Sequence, residues 1–352
     1  MNEMNKQKQA TIMDIAAEAG VSKATVSNVL RQRSVPLSAE TVRKVEEAAK
    51  SLGYRRNFVA ASLSLRKTNE LGLLVPSFGG YYGRFAEYMQ AEAYNNGYHL
   101  SVFSASGSDP AIEKQHLEML LQRRVDGLFC HGLAMSHEST KQLVGEGTPL
   151  VLFNAWGWPE DISIGAVNLD FAGAAEKSVQ HLLACGCGSV FYAGRKRARA
   201  IDEQRRIGFA AGVNRASVEL PWDLLDVADH HPTELLAAVL ERCRGTDKPA
   251  GIVAFDDNLA FQLLTSAQRI GIKVPEQIQL IGINNDGIAK DSFPSLTTWD
   301  IPYKLQARTA IGLLLRQLGE SLDPESEHLI PLDVQEIPIP LTLVTRESTK
   351  TI

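Results

Sequence analysis

Residues 19–30 read AGVSKATVSNVL, and the break and restart inside this stretch decide how the amino-terminal part folds. Just ahead of it, Thr11 is placed to cap a helix over Ile12–Ala19 with Ile12, Ile15, Ala16 and Ala19 on one face. Asp14 lies in the first turn, where the helix dipole favours an acid. Gly20 ends the helix, because glycine enters the left-handed region without a Cβ penalty. Ser22 then caps a second helix, Lys23–Leu30, with Val26, Val29 and Leu30 inward. Ser38 caps a third, with Val42, Val45, Ala49 and Leu52 on its buried side and Gly53 at its end. Three short helices with so tight a first turn make a helix-turn-helix unit. The restart lets the outer face (Lys23, Ala24, Ser27, Asn28) enter a DNA major groove, while Val21, Val26 and Val29 pin the second helix to the first. Small and polar residues at the start of that helix admit a phosphate to its N–H groups. Asn28 and Lys23 reach base edges, with adenine and guanine as their natural partners.

Charge is distributed to match. Residues 1–67 hold twelve Lys and Arg against six Asp and Glu, a net of +6 in a chain whose total is −5, so the remainder carries −11. A basic head on an acidic body points to nucleic acid at one end and a separate task at the other. A solvated basic tail is the alternative, but such tails lack helical periodicity and caps. At 352 residues the chain has room for two or three domains. No apolar run approaches a membrane span and the start has no signal-peptide core, so the expected compartment is the cytoplasm. Cys130, Cys185, Cys187 and Cys243 fit a reduced setting, and the lone C-x-C at 185–187 has no second pair to complete a metal site.

From Leu71 the periodicity changes. LGLLVPS, HLSVFSA, DGLFCHG and PLVLFNA are short apolar runs separated by helical stretches, among them Phe85 to Asn96, EKQHLEMLLQRR and SHESTKQLVGEG. The alternation restarts after Asp170 with FAGAAEKSVQHLLAC, SVFYAG, DEQRRIGFAAGV, TELLAAVLERC, AGIVAFD, NLAFQLLTSAQRIG and IQLIGIN. Continuous apolar strands alternating with helices indicate parallel sheets covered on both faces. Two such α/β units suggest two lobes with a cleft between them. Its lining should come from the loops after Val75, Phe153, Gly194, Phe255 and Ile283, at the carboxyl ends of strands.

TIMDIAAEAGVSKATVSNVL, the third helix ending LGY, and YRRNFVAASL leading into LGLLVPS resemble the lactose-repressor (LacI) family of bacterial transcription regulators. The resemblance runs to the closing LVTREST and is most specific at the amino terminus. It implies a helix-turn-helix head over residues 1–56, a hinge helix and linker over 57–67, and an effector-binding and dimerisation domain over 68–350. That domain resembles periplasmic sugar-binding proteins, with one lobe at about 70–167 and 298–325 and the other at about 168–297 and 326–350. The family works as a homodimer on a palindromic operator, and a small-molecule effector changes operator affinity. DNA contacts are then expected from Thr11, Ser22, Lys23, Ala24, Thr25, Ser27, Asn28 and Arg31 in the head and from Asn57, Ala60 and Leu63 in the hinge. Leu63 matches the family leucine that wedges into the minor groove, which costs a few kcal/mol of unstacking and recovers it through contacts that bending allows. Interdomain packing is the plainer role for Leu63. Three positions depart from the family: Arg56 in place of proline, Ala61 in place of arginine, and Asn28 where arginine is frequent. The hinge entry loses a fixed φ, one backbone contact disappears, and the operator half-site should differ from the commonest family sequence.

For the cleft, Tyr81 and Tyr82 fall where the family has paired aromatics before the first helix, suited to the apolar face of a sugar ring or a base. Asn154 ends PLVLFN, with Trp156 and Trp158 on the loop behind it. Arg205 matches the family's ligand-holding arginine, Asp256 its polar reader, and Asn284 takes the place of a frequent aspartate. Asp257 is expected to cap the following helix. Neutral Asn154 and Asn284, together with RKRARA (Arg195, Lys196, Arg197, Arg199), point to a neutral or anionic ligand, a phosphorylated or carboxylated sugar being one such class. Singly, each residue reads as a capped turn or a solvated side chain; it is their convergence from several loops that marks a site. An enzyme is the rival class, but P-loop, G-x-S-x-G, H-E-x-x-H and dinucleotide fingerprints are all missing and the histidines are scattered. No cofactor is expected. A repressor is favoured over an activator, and a dimer over a tetramer, since the carboxyl end carries no leucine heptads.

Overall fold

The computed structural model describes residues 10–30, 36–53, 67–105, 112, 115, 125–145, 147–159, 162–195, 199–216, 220–226, 231–331 and 335–350. The chain separates into two compact units, Met1–Thr68 and Asn69–Ile352.

In the first unit, α1 (Ile12–Ala19), α2 (Lys23–Leu30) and α3 (Ala39–Ser51) surround a small core of Ile15, Val26, Val29, Val45 and Ala48. Thr11 and Asp14 form a reciprocal capping box, with Asp14 N–H on Thr11 Oγ1 at 3.3 Å and Thr11 N–H on Asp14 Oδ2 at 2.7 Å. Gly20, at φ +66°, turns the chain, and Ser22 Oγ accepts the Thr25 N–H at 3.1 Å to start α2. A first turn capped at both ends holds the two helices at a fixed angle with very little core.

In the second unit the apolar runs become two six-stranded sheets. The first contains β1 (Glu70–Val75), β2 (His99–Ser104), β3 (Gly127–His131), β4 (Leu150–Phe153), β5 (Gly165–Leu169) and β11 (Glu336–Ile339), in the order β11-β5-β4-β3-β1-β2, all parallel. The second contains β6 (Ser189–Gly194), β7 (Trp222–Asp226), β8 (Ala250–Ala254), β9 (Ile278–Asn284), β10 (Thr297–Asp300) and β12 (Thr342–Val344), in the order β12-β10-β9-β8-β6-β7, with only β12 antiparallel to its neighbour. Alternate residues feed opposite faces: Leu71, Leu73 and Val75 enter one core while Leu74, Leu128 and Cys130 enter another. That two-sided burial is why these strands read as unbroken apolar runs.

Helices cover both sheets: α4 (Gly80–Asn95), α5 (His137–Gly145), α6 (Phe171–Ala184), α7 (Arg199–Arg215), α8 (Pro232–Arg242), α9 (Asp257–Arg269), α10 (Gly287–Asp291), α11 (Tyr303–Gln317) and α12 (Pro324–Leu329). The helix expected over EKQHLEMLLQRR lies largely outside the described residues. α4 starts at Gly80, ahead of the expected Phe85, and so takes Tyr81 and Tyr82 into its first turn. The chain changes sheets after β5, returns after β10, and leaves again between Ile339 and Thr342. This differs from the expected lobe limits, which put residue 298 in the first lobe and everything beyond 326 in the second. Thr297–Asp300 pairs with β9, and Glu336–Ile339 pairs with β5, where Asn168 Nδ2 also donates to Glu336 Oε1 at 2.8 Å. Between the two, α11 packs on α4, β4 and β5 of the first lobe. Among the described residues, no helix is long and apolar enough to cross a membrane, and no cluster of three or more His, Cys, Asp or Glu could hold a metal ion.

Candidate functional site

On the first unit, α2 buries Val26 and Val29 and leaves Lys23 and Ala24 exposed, with Thr25, Ser27 and Asn28 partly exposed. Ser22 and Thr25 hydroxyls lie 2.9 Å apart and are committed to the cap, as is that of Thr11, which donates to Asp14 at 2.7 Å. The outward face is therefore small side chains, one cation and one amide. Arg31, Asn57, Ala60 and Leu63 lie outside the described residues, as do Arg56 and Ala61.

In the second unit the first-lobe wall is a linked polar chain beneath an aromatic surface. Tyr81 Oη donates to Gln306 Oε1 at 3.0 Å and receives Asn154 Nδ2 at 3.3 Å. Asn154 Oδ1 accepts the Leu169 N–H at 3.0 Å, and its Nδ2 also lies 3.3 Å from His131 Nε2. Asn154 is 1% exposed, so its amide is spent on holding Tyr81 and the β5 backbone and is not presented to the cleft. Its φ of +47° supplies a second reason for asparagine here, since among non-glycine residues asparagine is well tolerated in the left-handed region. The neutrality of Asn154 is thus a structural requirement and carries no information about ligand charge. His131 ends β3; burial holds its pKa down at about 3, so the ring is neutral, and the Leu133 N–H donates to Nδ1 at 3.2 Å. Tyr82 packs edge-on against both Tyr81 and His131, with centroids 5.2 and 5.0 Å away, and its hydroxyl makes no hydrogen bond among the described residues. Burial raises the pKa of both tyrosines, which therefore present neutral hydroxyls.

The second-lobe wall centres on Arg205, on α7. Its guanidinium lies between two rings, 4.1 Å from the Phe171 centroid and 4.0 Å from that of Phe255, and Nη1 donates to the Phe255 carbonyl. Trp156 extends this aromatic surface, 5.8 Å from Phe171, whereas Trp158 turns away to His137 at 4.4 Å. Asp256 rather than Asp257 caps α9, accepting the Leu259 N–H at 2.7 Å; Arg195 Nη2 stands 3.6 Å from the same oxygen. The cap shifts by one residue because Asp257 is fully buried and has other partners. It accepts Thr298 Oγ1 at 2.5 Å and the Asp286 N–H at 2.8 Å, and burial raises its pKa to about 6. Asn284 ends β9 at φ +116°, and its side-chain amide has no hydrogen-bond partner among the described residues. Beyond it, Asn285 is held by Asp300 at 2.8 Å and by Arg346 of the closing LVTREST at 2.6 Å. Asp286 pairs with Arg84 of the first lobe at 3.0 Å, and Arg84 lies 4.7 Å from the Tyr303 ring centroid. Lys196 and Arg197 lie outside the described residues.

The sequence reading missed His131, Phe171, Arg84, Tyr303 and Gln306. The rule that ligands gather at the carboxyl ends of parallel strands would have found His131, which ends DGLFCH. Tyr303 and Gln306 left no signal, because α11 reaches this wall only through the chain's return to the first lobe.

A two-lobed parallel α/β domain behind a helix-turn-helix unit is the architecture of a regulator with a periplasmic-binding-protein-like core. A model of the periplasmic binding protein-like domain matches residues 179–349, and a model of bacterial regulatory proteins of the lacI family matches residues 11–57. Catabolite control protein A of Staphylococcus aureus (strain MRSA252) is 30% identical over 322 residues, covering 91% of this chain and 96% of its own length. That of Staphylococcus epidermidis is 31% identical, with the same 91% and 96% covered. Among solved structures, the lac repressor dimer bound to operator and the anti-inducer ONPF aligns with a TM-score of 0.78 at 20% identity, over 97% of this chain and 99% of that one. The chain belongs to the lacI family of bacterial regulatory proteins. Its relatives regulate transcription and are not enzymes, in agreement with the missing catalytic motifs.

Proposed function

We propose that this protein is a cytoplasmic repressor that binds a palindromic operator as a homodimer, and that a sugar or sugar derivative bound between the two lobes shifts its operator affinity. The observation that carries this reading is α2, capped by Ser22, anchored by Val26 and Val29, and offering Lys23, Ala24, Ser27 and Asn28 outward. On that face Asn28 and Lys23 read base edges; Thr11, Ser22 and Thr25 at the helix starts approach phosphates, a role Arg31 shares. Asn57, Ala60 and Leu63 contact the minor groove as a hinge. The lac repressor's capture as an operator-bound dimer and CelR's capture with cellobiose support the two halves of the proposal. Phe293 is 82% exposed at a loop tied to the end of α9 by Gln268, a surface suited to a second copy.

In the cleft, Tyr82 and Trp156 cover the ligand's apolar face, Arg205, Asp256 and Asn284 bond its polar edge, and Tyr81 and Asn154 hold the wall behind them. An effector acts only through its different affinity for the DNA-competent and incompetent states, so induction and corepression use the same parts. The test is selection of sites from a random duplex pool, followed by titration of the winner at fixed salt. A palindromic winner bound at least about a thousandfold more tightly than random duplex is the expected result. Failure to enrich any palindrome would refute operator recognition.

A further inference from the structure

Among the described residues, the buried side-chain nitrogen and oxygen atoms that lack a hydrogen-bond partner are Arg195 Nε, Arg205 Nε, Gln306 Nε2 and the Tyr303 hydroxyl. Three of these can only donate, and the fourth can donate. Buried donors are costly to leave unmade, so their occurrence on residues at the facing sides of the two lobes describes what the cleft receives. Arg205 is 3% exposed and, among the described residues, has no carboxylate within ion-pair distance; the two rings that sandwich it leave only its edge open to acceptors.

The two arginines meet at one corner. Arg205 Nη1 is on the carbonyl of Phe255, and Arg195 Nη2 is 3.6 Å from the carboxylate of the next residue, Asp256. Arg195 thus reaches one carboxylate, while Arg205 beside it reaches only a backbone carbonyl. The neighbouring acids are already engaged: Asp202 takes the Tyr192 hydroxyl at 2.8 Å, the Arg195 N–H at 3.1 Å and Arg206 at 2.5 Å, and Arg206 reaches Asp226 at 3.6 Å. The opposite end of the cleft is different. Tyr303 there has the Arg84 guanidinium 4.7 Å from its ring centroid, and Arg84 is paired to Asp286. The unpartnered guanidinium donors lie at the Arg195–Arg205 corner, which is the end that accommodates an anionic group. Asp256 Oδ1 is occupied by the Leu259 N–H and Arg195, which leaves Oδ2 to accept a ligand hydroxyl.

We propose that the ligand of this cleft is a polyhydroxylated anion, a sugar bearing a carboxylate or phosphate, whose charged group lies between Arg195 and Arg205. This rests on the reading of the cleft as the effector site. Arg195 is the specificity residue: it sets a second guanidinium beside that of Arg205, whose own edge meets no carboxylate among the described residues. Arginine suits the role because its fork matches carboxylate and phosphate oxygens.

The test is calorimetric titration of the full-length protein with glucose, glucose 6-phosphate, glucuronate, the corresponding galactose set and inorganic phosphate, repeated on Arg195→Gln. At least one sugar acid or sugar phosphate should bind more tightly than its neutral parent by about tenfold or more, the value of one charge-assisted hydrogen bond. Arg195→Gln should remove that preference while changing neutral-sugar affinity less than about twofold. Phosphate sugars and uronates are separate arms, so the winning arm names the anion, and inorganic phosphate bound as tightly as the sugar would overturn the sugar requirement. Neutral sugars that bind as tightly as the anions, unchanged in Arg195→Gln, would overturn the anion while leaving the effector reading intact. Binding of none of the probes, with operator affinity unmoved by all of them, would overturn both.

Discussion

Asp257→Asn should stabilise the second unit at neutral pH, although it removes a fully buried charge with good hydrogen bonds. Both carboxylate oxygens are occupied, Oδ1 by Thr298 Oγ1 and Oδ2 by the Asp286 N–H, yet no cation is paired with the group among the described residues. Burial outweighs the two hydrogen bonds and raises its pKa from 3.8 to about 6. The folded chain therefore binds this proton more tightly than the unfolded chain does. The sign follows: the stability contributed by the protonated form is fully present below pH 3.8 and is lost as pH rises through about 6. About two pKa units correspond to roughly 3 kcal/mol of penalty at pH 7.5, an order-of-magnitude value. Asparagine keeps both contacts, since Nδ2 can donate to Thr298 Oγ1 while Oδ1 accepts the Asp286 N–H. All four tryptophans, Trp156, Trp158, Trp222 and Trp299, lie in the second unit, so urea unfolding followed by their fluorescence reports on it alone. The variant should be more stable than the parent at pH 7.5, and the difference should shrink steadily toward pH 4. Taking the difference between the two proteins cancels other acids, such as Asp323, whose pKa is lowered to about 2 by hydrogen bonding to Ser326 and pairing with Arg308. A variant less stable at pH 7.5, or a difference that does not change with pH, would show that Asp257 is not a buried, destabilising carboxylate.

Four further outcomes can be measured. Ile15→Ala removes the fully buried centre of the three-helix core and should cost about 2–5 kcal/mol, enough to unfold so small a unit; loss of operator binding with unchanged tryptophan unfolding is the expected pair of results. Lys23→Gln should cost about 1–3 kcal/mol of specific binding and relax the base preference at one half-site position, whereas a uniform loss with a salt slope lower by about one would place Lys23 on the phosphates instead. Arg84→Met should loosen the only partly exposed contact with Asp286 and lower effector affinity by less than about tenfold, with Asp286→Asn giving the same change; additive losses in the double variant would deny their coupling. Gly282→Ala should destabilise the second unit strongly, because a Cβ there would come within 2.1 Å of Asp257 Oδ1, and its effect should be smaller in the Asp257→Ala background.

Much of the architecture was legible because local chemistry and fold agree. Thr11, Gly20, Ser22 and Ser38 each cap or end a helix through bonds to residues three or four positions away, so spacing alone located α1, α2 and the start of α3. Strands such as LGLLV and IQLIGI are buried on both faces, which imprints an uninterrupted apolar run on the chain. The elements that escaped notice lack that imprint. GAVNL at β5 carries a buried asparagine used to bind Ala155 N–H and Glu336, WDLLD at β7 is a partly exposed edge, and EIPI at β11 alternates.

The sequence by itself therefore determined the head, the two-lobed parallel architecture and the strand ends near which Asp256 and Asn284 stand. Only the tertiary structure decided what those residues do. Asn154 turned inward because a left-handed strand end and the Leu169 N–H claimed it, and Asp256 took the helix cap because Asp257 was drawn into the contact of β10 with α10. Gln306 and Tyr303 reached the cleft wall through a return of the chain more than two hundred residues after Tyr81 and Tyr82. Caps, turns and apolar periodicity are set between near neighbours and survive in the one-dimensional record. Desolvation, lone-pair saturation and pairing across lobes depend on atoms brought together from distant segments, and they exist only once the chain has folded.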